Sequence, residues 1–375
     1  MTSAIPIPTS HLDPINAKIL SISEDQIQGF HRAPFHSIAE LAQVSVEEVC
    51  GRIAAMLEAG SVRRVRQTLL TTSLADGALV AWKVSPEKLD SAFDFLFQDD
   101  PFSGHVVVRS TDSESAGAQY RLWTTVKVPA GISLEKHCQF LAERIGAETH
   151  RIMRAKGIFT LGVGHVRRQS IEPGDRAPQP ANMRATGITP LTEEQWNVLL
   201  ELKVELKPEE IAPGLWENRA AAMGLETERF FEIAEDLSAK GVVGRFSTFL
   251  EHVKPQKDGQ RVTRFNGLFH WAVDPSIAEQ AGSEVGRHRI LTHCYWREAG
   301  PEFGNVNIMA VAHGTDKTRL LEHKAAIDQH LKECGIEVTY TNVFWGGRSE
   351  IKPSEISPLV YEEWAARHHA FATAE

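Results

Sequence analysis

At 375 residues the chain is too long for one ordinary hydrophobic core and long enough for two to four domains. An apolar fraction of 42% and a charged fraction of 24% are those of a globular protein, and a net charge of -9 argues against general attraction to nucleic acid. Cys50, Cys138, Cys294 and Cys334 form no Cys-x-x-Cys pair, so neither a disulfide framework nor a thiolate zinc site is suggested. The N-terminus lacks the pattern of a signal peptide, and no apolar run approaches the roughly 18 residues of a membrane span. A cytoplasmic protein with no membrane partner is expected.

In chain order, residues 1–11 read as a loose arm, and apolar spacing predicts a helix over 14–30. Ser37-Ile38-Ala39-Glu40 opens a short helix as a capping box. Ser45, with Glu48, caps a second helix over 46–59, which Gly60 ends. Two short helices about a tight turn, then Gly-Ser-Val-Arg-Arg, spell a winged helix-turn-helix over 12–64. Alternation predicts strands at 64–72, 77–84, 105–110 and 119–128, with helices at 87–97 and 133–146 and a last strand beginning at 149–153. A βαββαβ module over 65–168 follows, a two-layer sandwich with helices on one face of an antiparallel sheet.

Residues 169–190 hold four prolines and little apolar content, and read as a linker. The pattern then restarts. Helices at 191–206, 208–223 and 226–240 make a second helix-turn-helix (191–244). Strands at 245–252, 264–273, 290–297, 304–313 and 337–345, with helices at 275–285 and 315–334, make a second βαββαβ module (245–350). The tail (351–375) has helix-like spacing at 360–366. The fold class expected is therefore α+β, with two tandem modules.

The repeat is visible residue by residue. Trp82-Lys83-Val84-Ser85-Pro86 matches Trp271-Ala272-Val273-Asp274-Pro275 at an offset of 189, and His105 to Arg109 matches His293 to Arg297 at 188. Arg66, Thr68 and Leu70 stand 180 positions before Phe246, Thr248 and Leu250. The change of offset falls in a hairpin, where insertions cost little.

Within the second copy, residues 241–314 place His252, His293, Tyr295, Arg245, Arg297 and His313 on alternating apolar segments. Polar groups on half-buried strands are costly unless paired, and an anionic ligand is one such partner. His293, Tyr295 and Arg297 share one strand face. The competing readings are a buried Tyr-His hydrogen bond, a strand-end cap for His313, and a solvated strand end for His252. Sixteen histidines invite a metal reading, but there is no His-x-x-x-His on a helix and no metal site is expected.

A winged helix followed by βαββαβ resembles the Lrp/AsnC regulators, and the residues resemble the siroheme decarboxylases within that group. Arg245-Phe246 and His252 match the start of their second-half pattern. Asn266 stands five residues before Trp271, His293-Cys294-Tyr295 matches directly with Arg297 retained, and Asn307 stands six before His313-Gly314. Gly267-Leu268-Phe269-His270 departs from the usual small and aliphatic run, and Trp296 replaces an arginine. The resemblance implies non-oxidative decarboxylation of siroheme acetate side chains in haem or modified-haem synthesis, by a carbon-carbon lyase needing no cofactor. It implies His252 as acid/base, His293 as its partner and Tyr295 as a carboxylate orienter. Arg245, Arg264 and Arg297 would bind carboxylates, Asn266 would clamp, and His313, His105 and Arg109 would contribute further contacts. In this family the sheets pair face to face, so a fused chain can build one site between its modules; a homodimer of the fused chain is a further expectation.

Two other classes compete: a DNA-binding regulator and a non-catalytic tetrapyrrole carrier. Against the regulator, 225–240 sets Glu226, Glu228, Glu232, Glu235 and Asp236 against Arg229 and Lys240. Phosphate repels such a helix, so no specific nucleic-acid partner is expected.

Overall fold

The computed structural model describes residues 7–70, 73–162, 164–168, 170–251, 263–356 and 358–368. They form two compact units that interleave along the chain. One holds residues 1–73, 162–170 and 189–264, and the other 74–161, 171–188 and 265–375.

The first unit is mostly helical. It contains α1 (Pro14–Ser23), α2 (Pro34–Ala42), α3 (Val46–Ala59), β1 (Val62–Leu69), the short α6 (His165–Arg168), α7 (Glu193–Lys203), α8 (Leu215–Ala222), α9 (Thr227–Ala239) and β7 (Val243–Leu250). The first helix stops at Ser23, short of the expected 30. The expected capping box at Ser37 is not a cap: α2 begins at Pro34, and Ser37 Oγ donates inside the helix to the Ala33 carbonyl. Ser45 does cap α3, accepting from Glu48 N at 3.1 Å, and Gly60 ends it at φ 80°, where a side chain would be strained. The strands β1 and β7 pair antiparallel with each other, Val65 opposite Thr248. That pairing draws 65–70 and 245–250 into the helical unit rather than into the sheets that follow them in sequence.

In the second unit the order β-α-β-β-α-β occurs twice. The first repeat is β2 (Asp76–Lys83), α4 (Leu89–Gln98), β3 (Ser103–Ser110), β4 (Leu122–Val128), α5 (Leu134–Ile145) and β5 (Thr149–Leu161). The second is β8 (Phe265–Ala272), α10 (Ala278–Gly286), β9 (Leu291–Arg297), β10 (Ile308–Gly314), α11 (Lys317–Glu333) and β11 (Tyr340–Ile351). The sheets do not lie face to face as separate layers. They join edge to edge in the order β2-β4-β3-β11-β8-β10-β9-β5, and β5 pairs back onto β2, closing an eight-stranded antiparallel barrel. A two-residue strand β6 (Arg184–Ala185) adds to β5 within the stretch read as linker.

Closure depends on two strands that run longer than their apolar patterns. The first half of β5 pairs with β2 of its own repeat (Leu79 opposite Met153), and its second half pairs with β9 of the other (Ile158 opposite Tyr295). Likewise β11 pairs first with β8 (Phe344 opposite Leu268) and then with β3 (Ile351 opposite His105). Arg154, Lys156, Gly346 and Gly347 interrupt the alternation where each strand crosses between repeats, which hid the extensions.

The barrel has three apolar layers. Outside, Val80, Trp82, Val106, Leu122 and Val126 pack under α4 and α5. Phe269, Trp271, Cys294, Ile308 and Ala310 pack under α10 and α11. Inside, Ala81, Val107, Trp123, Met153, Leu268, Met309 and Phe344 meet. Alternation along each strand sends successive side chains to opposite layers. The tail is part of the core: in α12 (Pro358–Arg367), Tyr361 and Trp364 are buried against α4 and α5, and Trp364 Nε1 donates to the Asp99 carbonyl at 2.8 Å.

Candidate active site inside the barrel

Because Val107, Leu268 and Met309 point inward, so do their neighbours two residues away. Thus Arg109, Asn266, His270 and Val311 line the interior. On β9, Cys294 and Trp296 pack outward, which leaves His293, Tyr295 and Arg297 on the inner face.

A continuous polar chain crosses these strands. Arg109 Nη1 donates to Asn266 Oδ1 at 3.3 Å and to the Phe344 carbonyl at 3.4 Å. Asn266 Nδ2 then donates to His313 Nε2 at 3.1 Å. Thr292 Oγ donates to the Val311 carbonyl at 3.1 Å and is therefore left to accept from His313 Nδ1 at 3.3 Å and His293 Nδ1 at 3.0 Å. The His293 ring stacks on Tyr295 with centroids 6.0 Å apart, and the Arg297 guanidinium lies 4.6 Å above the Tyr295 ring. Arg297 Nη1 donates to the Met153 carbonyl at 2.6 Å. The set is a graded wall of guanidinium, amide, imidazole and phenol groups.

The register puts Asn266, His313 and Gly346 near one end of the barrel, where Asn266, His293 and His313 are half-buried, and sets half-buried Tyr295 level with His270. Towards the other end Trp123, Phe303 and Phe344 form an aromatic cluster with ring centroids 5.2 to 6.0 Å apart. Burial pushes the Arg109 guanidinium down to about 10 and lowers that of Arg297. Each is a desolvated cation that gains by meeting an anion.

The sequence reading missed His270, noting it only as a departure from the family run. Its fully buried ring lies 5.0 Å from that of Phe344 and 6.1 Å from that of Trp123, and neither ring nitrogen has a protein partner. Burial, then Arg109 and Lys324, push its pKa down to about 3, so it is neutral at physiological pH. Arg109 Nε, Tyr340 Oη and Asn342 Nδ2 are also buried without a hydrogen-bond partner. Buried polar atoms are normally satisfied, so this concentration on one interior surface needs an explanation. The legible signal was a histidine at an inward position of an otherwise apolar strand.

Of the remaining described residues, His105 belongs to the barrel's unit, and Arg264 and Arg245 belong to the other. His105 shares the inner face of β3 with Arg109 but stands four residues away, roughly 13 Å along the strand, and its Nε2 meets Ser349 Oγ at 2.9 Å. Arg264 is exposed just before β8. Arg245 belongs to the helical unit, where it is buried and its Nε donates to the Glu24 carbonyl at 3.0 Å. Burial pushes Arg245 down to about 10, partly offset by Asp25. The nearby Arg168–Asp25 ion pair, at 3.0 Å, is also buried. His252 lies outside the described residues.

The AsnC-like ligand binding domain matches residues 74–160 and 263–342, once in each repeat. Each repeat is thus similar to that domain. It is 26% identical over 299 residues to siroheme decarboxylase of Hydrogenobacter thermophilus, a match spanning 79% of this chain and 82% of that protein. Its fold is similar to the crystal structure of the siroheme decarboxylase NirDL, with a TM-score of 0.64 and 20% identity over 94% of this chain and 98% of that one. The structure of NirDL in co-complex with an iron-uroporphyrin III analogue gives a TM-score of 0.63, 20% identity and coverage of 94% and 99%. The resemblance to the siroheme decarboxylase family read from the sequence is borne out.

Proposed function

We propose that this chain decarboxylates acetate side chains of siroheme or a closely related anionic tetrapyrrole, and that the reaction takes place against the polar wall of the barrel. The observation that carries the reading is that wall: desolvated Arg109 and Arg297, the Asn266–His313–Thr292–His293 chain, and buried polar atoms that the protein leaves unsatisfied. Siroheme carries eight carboxylates around a flat apolar macrocycle. Arginines and an amide hold carboxylates, and the aromatic interior suits the macrocycle.

In the reaction the bond between the acetate methylene and its carboxylate breaks. The electron pair stays on the methylene carbon, spread into the pyrrole, and carbon dioxide leaves. A proton then converts the methylene to methyl. An imidazolium supplies it, and His293 and His252 are the residues assigned that role, since a histidine's ordinary pKa lies near neutrality. Thr292 fixes the His293 ring by its Nδ1, and Tyr295 orients the reacting carboxylate. Neutral His270 supplies a hydrogen bond rather than charge. Apolar walls beside the departing carboxylate favour its loss as neutral gas.

No cofactor takes part in this scheme. The helix pairs α2–α3 and α8–α9 are read as winged helices kept for assembly, including a homodimer of the fused chain in the cytoplasm. Their charges support that: Arg32 pairs with Glu228 and Glu235, Arg229 with Glu194 and Glu232, and Lys240 with Asp236. Among the described residues no helix is long and apolar enough to cross a membrane.

The test is anaerobic incubation of the purified chain with siroheme, followed by mass spectrometry. Successive losses of carbon dioxide are expected. Saturable binding without mass loss would leave a carrier, and no binding at tens of micromolar would remove both readings.

A further inference from the structure

On the outer side of the barrel, away from the polar wall, α10 and α11 end side by side over a group of metal-ligating side chains. Glu284, His330 and Cys334 each offer a ligand atom, and these atoms lie within 4.8 Å of one another. Glu284 Oε2 is 2.7 Å from His330 Nε2, which is 3.7 Å from Cys334 Sγ. His330 and Cys334 are four residues apart, so one face of α11 presents both. His330 is 5% exposed, and the Glu284 side chain 14%.

An independent feature stands beside the same group, just outside the three mutually close ligand atoms. His288, just past the end of α10, is 2% exposed, and its Nε2 has no hydrogen-bond partner. Its ring stands edge-on to His330 at 5.2 Å. A bridge from Arg176 and the carbonyls of Ala177 and Pro178, which take the Arg287 guanidinium, hold this corner in place.

We propose that Glu284, His330, Cys334 and His288 form a binding site for a zinc-type divalent transition metal, separate from the tetrapyrrole wall. Thiolate and imidazole donors select a borderline cation over calcium or magnesium, whose ligands are oxygen. Tetrahedral zinc, with bonds of about 2.0–2.3 Å, holds its ligand atoms roughly 3.3–3.8 Å apart. The sulfur–imidazole separation already fits. The Glu284–His330 hydrogen bond opens by roughly half an ångström as the cation replaces the proton between them. His330 then carries its proton on Nδ1, and the Cys334 thiol proton passes to solvent. Arg287 Nη1 pairs with Glu284 Oε2 at 3.0 Å and has to yield that oxygen to the cation, while Arg176 bridges to His288 as a second opposing charge. The Glu284 carboxylate and the C-terminal ends of two helices offset them, since helix C-termini attract cations. The sequence concealed the site because Glu284 and His288 lie more than forty residues from His330 and Cys334.

The site's role is to clamp α10 to α11 over β9 and β10. It is tested on the full chain, stripped with a chelator and titrated with cobalt(II). The expected result is saturation at one cobalt per chain, with tetrahedral visible bands, a sulfur-to-cobalt charge-transfer band, and displacement of both by zinc. Cys334→Ser should abolish the charge-transfer band. Glu284→Gln, at a partly exposed carboxylate and less prone to misfold, should weaken cobalt binding at least tenfold. Cys50→Ala, in the helical unit, should change neither. Absence of a charge-transfer band in the unmodified chain, its survival in Cys334→Ser, or unchanged affinity in Glu284→Gln overturns the proposal.

Discussion

The two repeats build matching halves of one barrel, yet their inner faces differ in chemistry. Ala81 stands where the second repeat has His270, and Val107 where it has Tyr295. On the neighbouring pair of strands, Gly77 faces Lys127 where Asn266 faces His313. The first repeat contributes Arg109 and an outlying His105. The second contributes His270, His293 and His313. A duplicated scaffold has kept its outer packing in both copies, Trp82 and Trp271 included, while concentrating ionisable groups in one. The shared outer positions are what the fold needs, and the unshared inner ones are what the site needs.

The sharpest way to break this comparison is a set of three single substitutions. His293→Ala should lower turnover of siroheme by on the order of a hundredfold, as should His252→Ala, because each removes a proton donor. His105→Ala should cost no more than a few-fold. The three are compared in one decarboxylation assay, with folding checked by circular dichroism. Equal losses, or a larger loss at His105, would mean the repeats share the chemistry. A smaller effect tests whether the first repeat supplies charge alone. Arg109→Ala should weaken tetrapyrrole binding by about tenfold or more, the equivalent of a lost charge-assisted hydrogen bond. Absorbance titration measures it, and unchanged affinity would take the first repeat out of the site.

His270 sharpens the comparison through stability. A buried polar group without partners is a liability, so His270→Phe should stabilise the ligand-free protein by about 1–3 kcal/mol while weakening the tetrapyrrole complex. The folded pKa of about 3 lies below the ordinary value near 6.5. Both states are therefore neutral above pH 6.5. As pH falls further, the unfolded chain takes up a proton that the folded one refuses, so stability is lost between about 6.5 and 3. The substitution should flatten that acid limb in melting experiments, and an unaltered limb would show the ring to be solvated. The smallest expected effect is none at all: at low salt, duplex DNA should give no sequence-dependent gel shift, because the cations on α9 are already paired.

Local pattern carried much of this into the sequence. Strand alternation placed His293, Tyr295 and Arg297 on one face, and the repeat offset aligned the two copies. What local pattern does not carry is pairing between distant segments. The exchange of β5 and β11 between repeats joins strands more than a hundred residues apart, and it converts two expected layers into one closed barrel. The same pairing logic sends β1 to β7 and makes Arg245 part of the helical unit rather than of the barrel's. His270 was visible as an oddity, but only closure of the barrel gives its position meaning. Trp364 looked like part of a tail because its apolar partners, Phe102 and Phe140, lie far back in the chain.

The reciprocal loan of β5 and β11 also bears on how such a molecule can change over generations. When two identical chains close a ring around a shared cavity, every substitution arrives twice, at positions related by symmetry. A histidine useful on one side is then imposed on the other. Joining the copies in a single chain releases that constraint, because each half is written separately. One wall can become polar and reactive while the opposite wall stays inert, and the interlocked strands keep the halves together whatever the protein concentration.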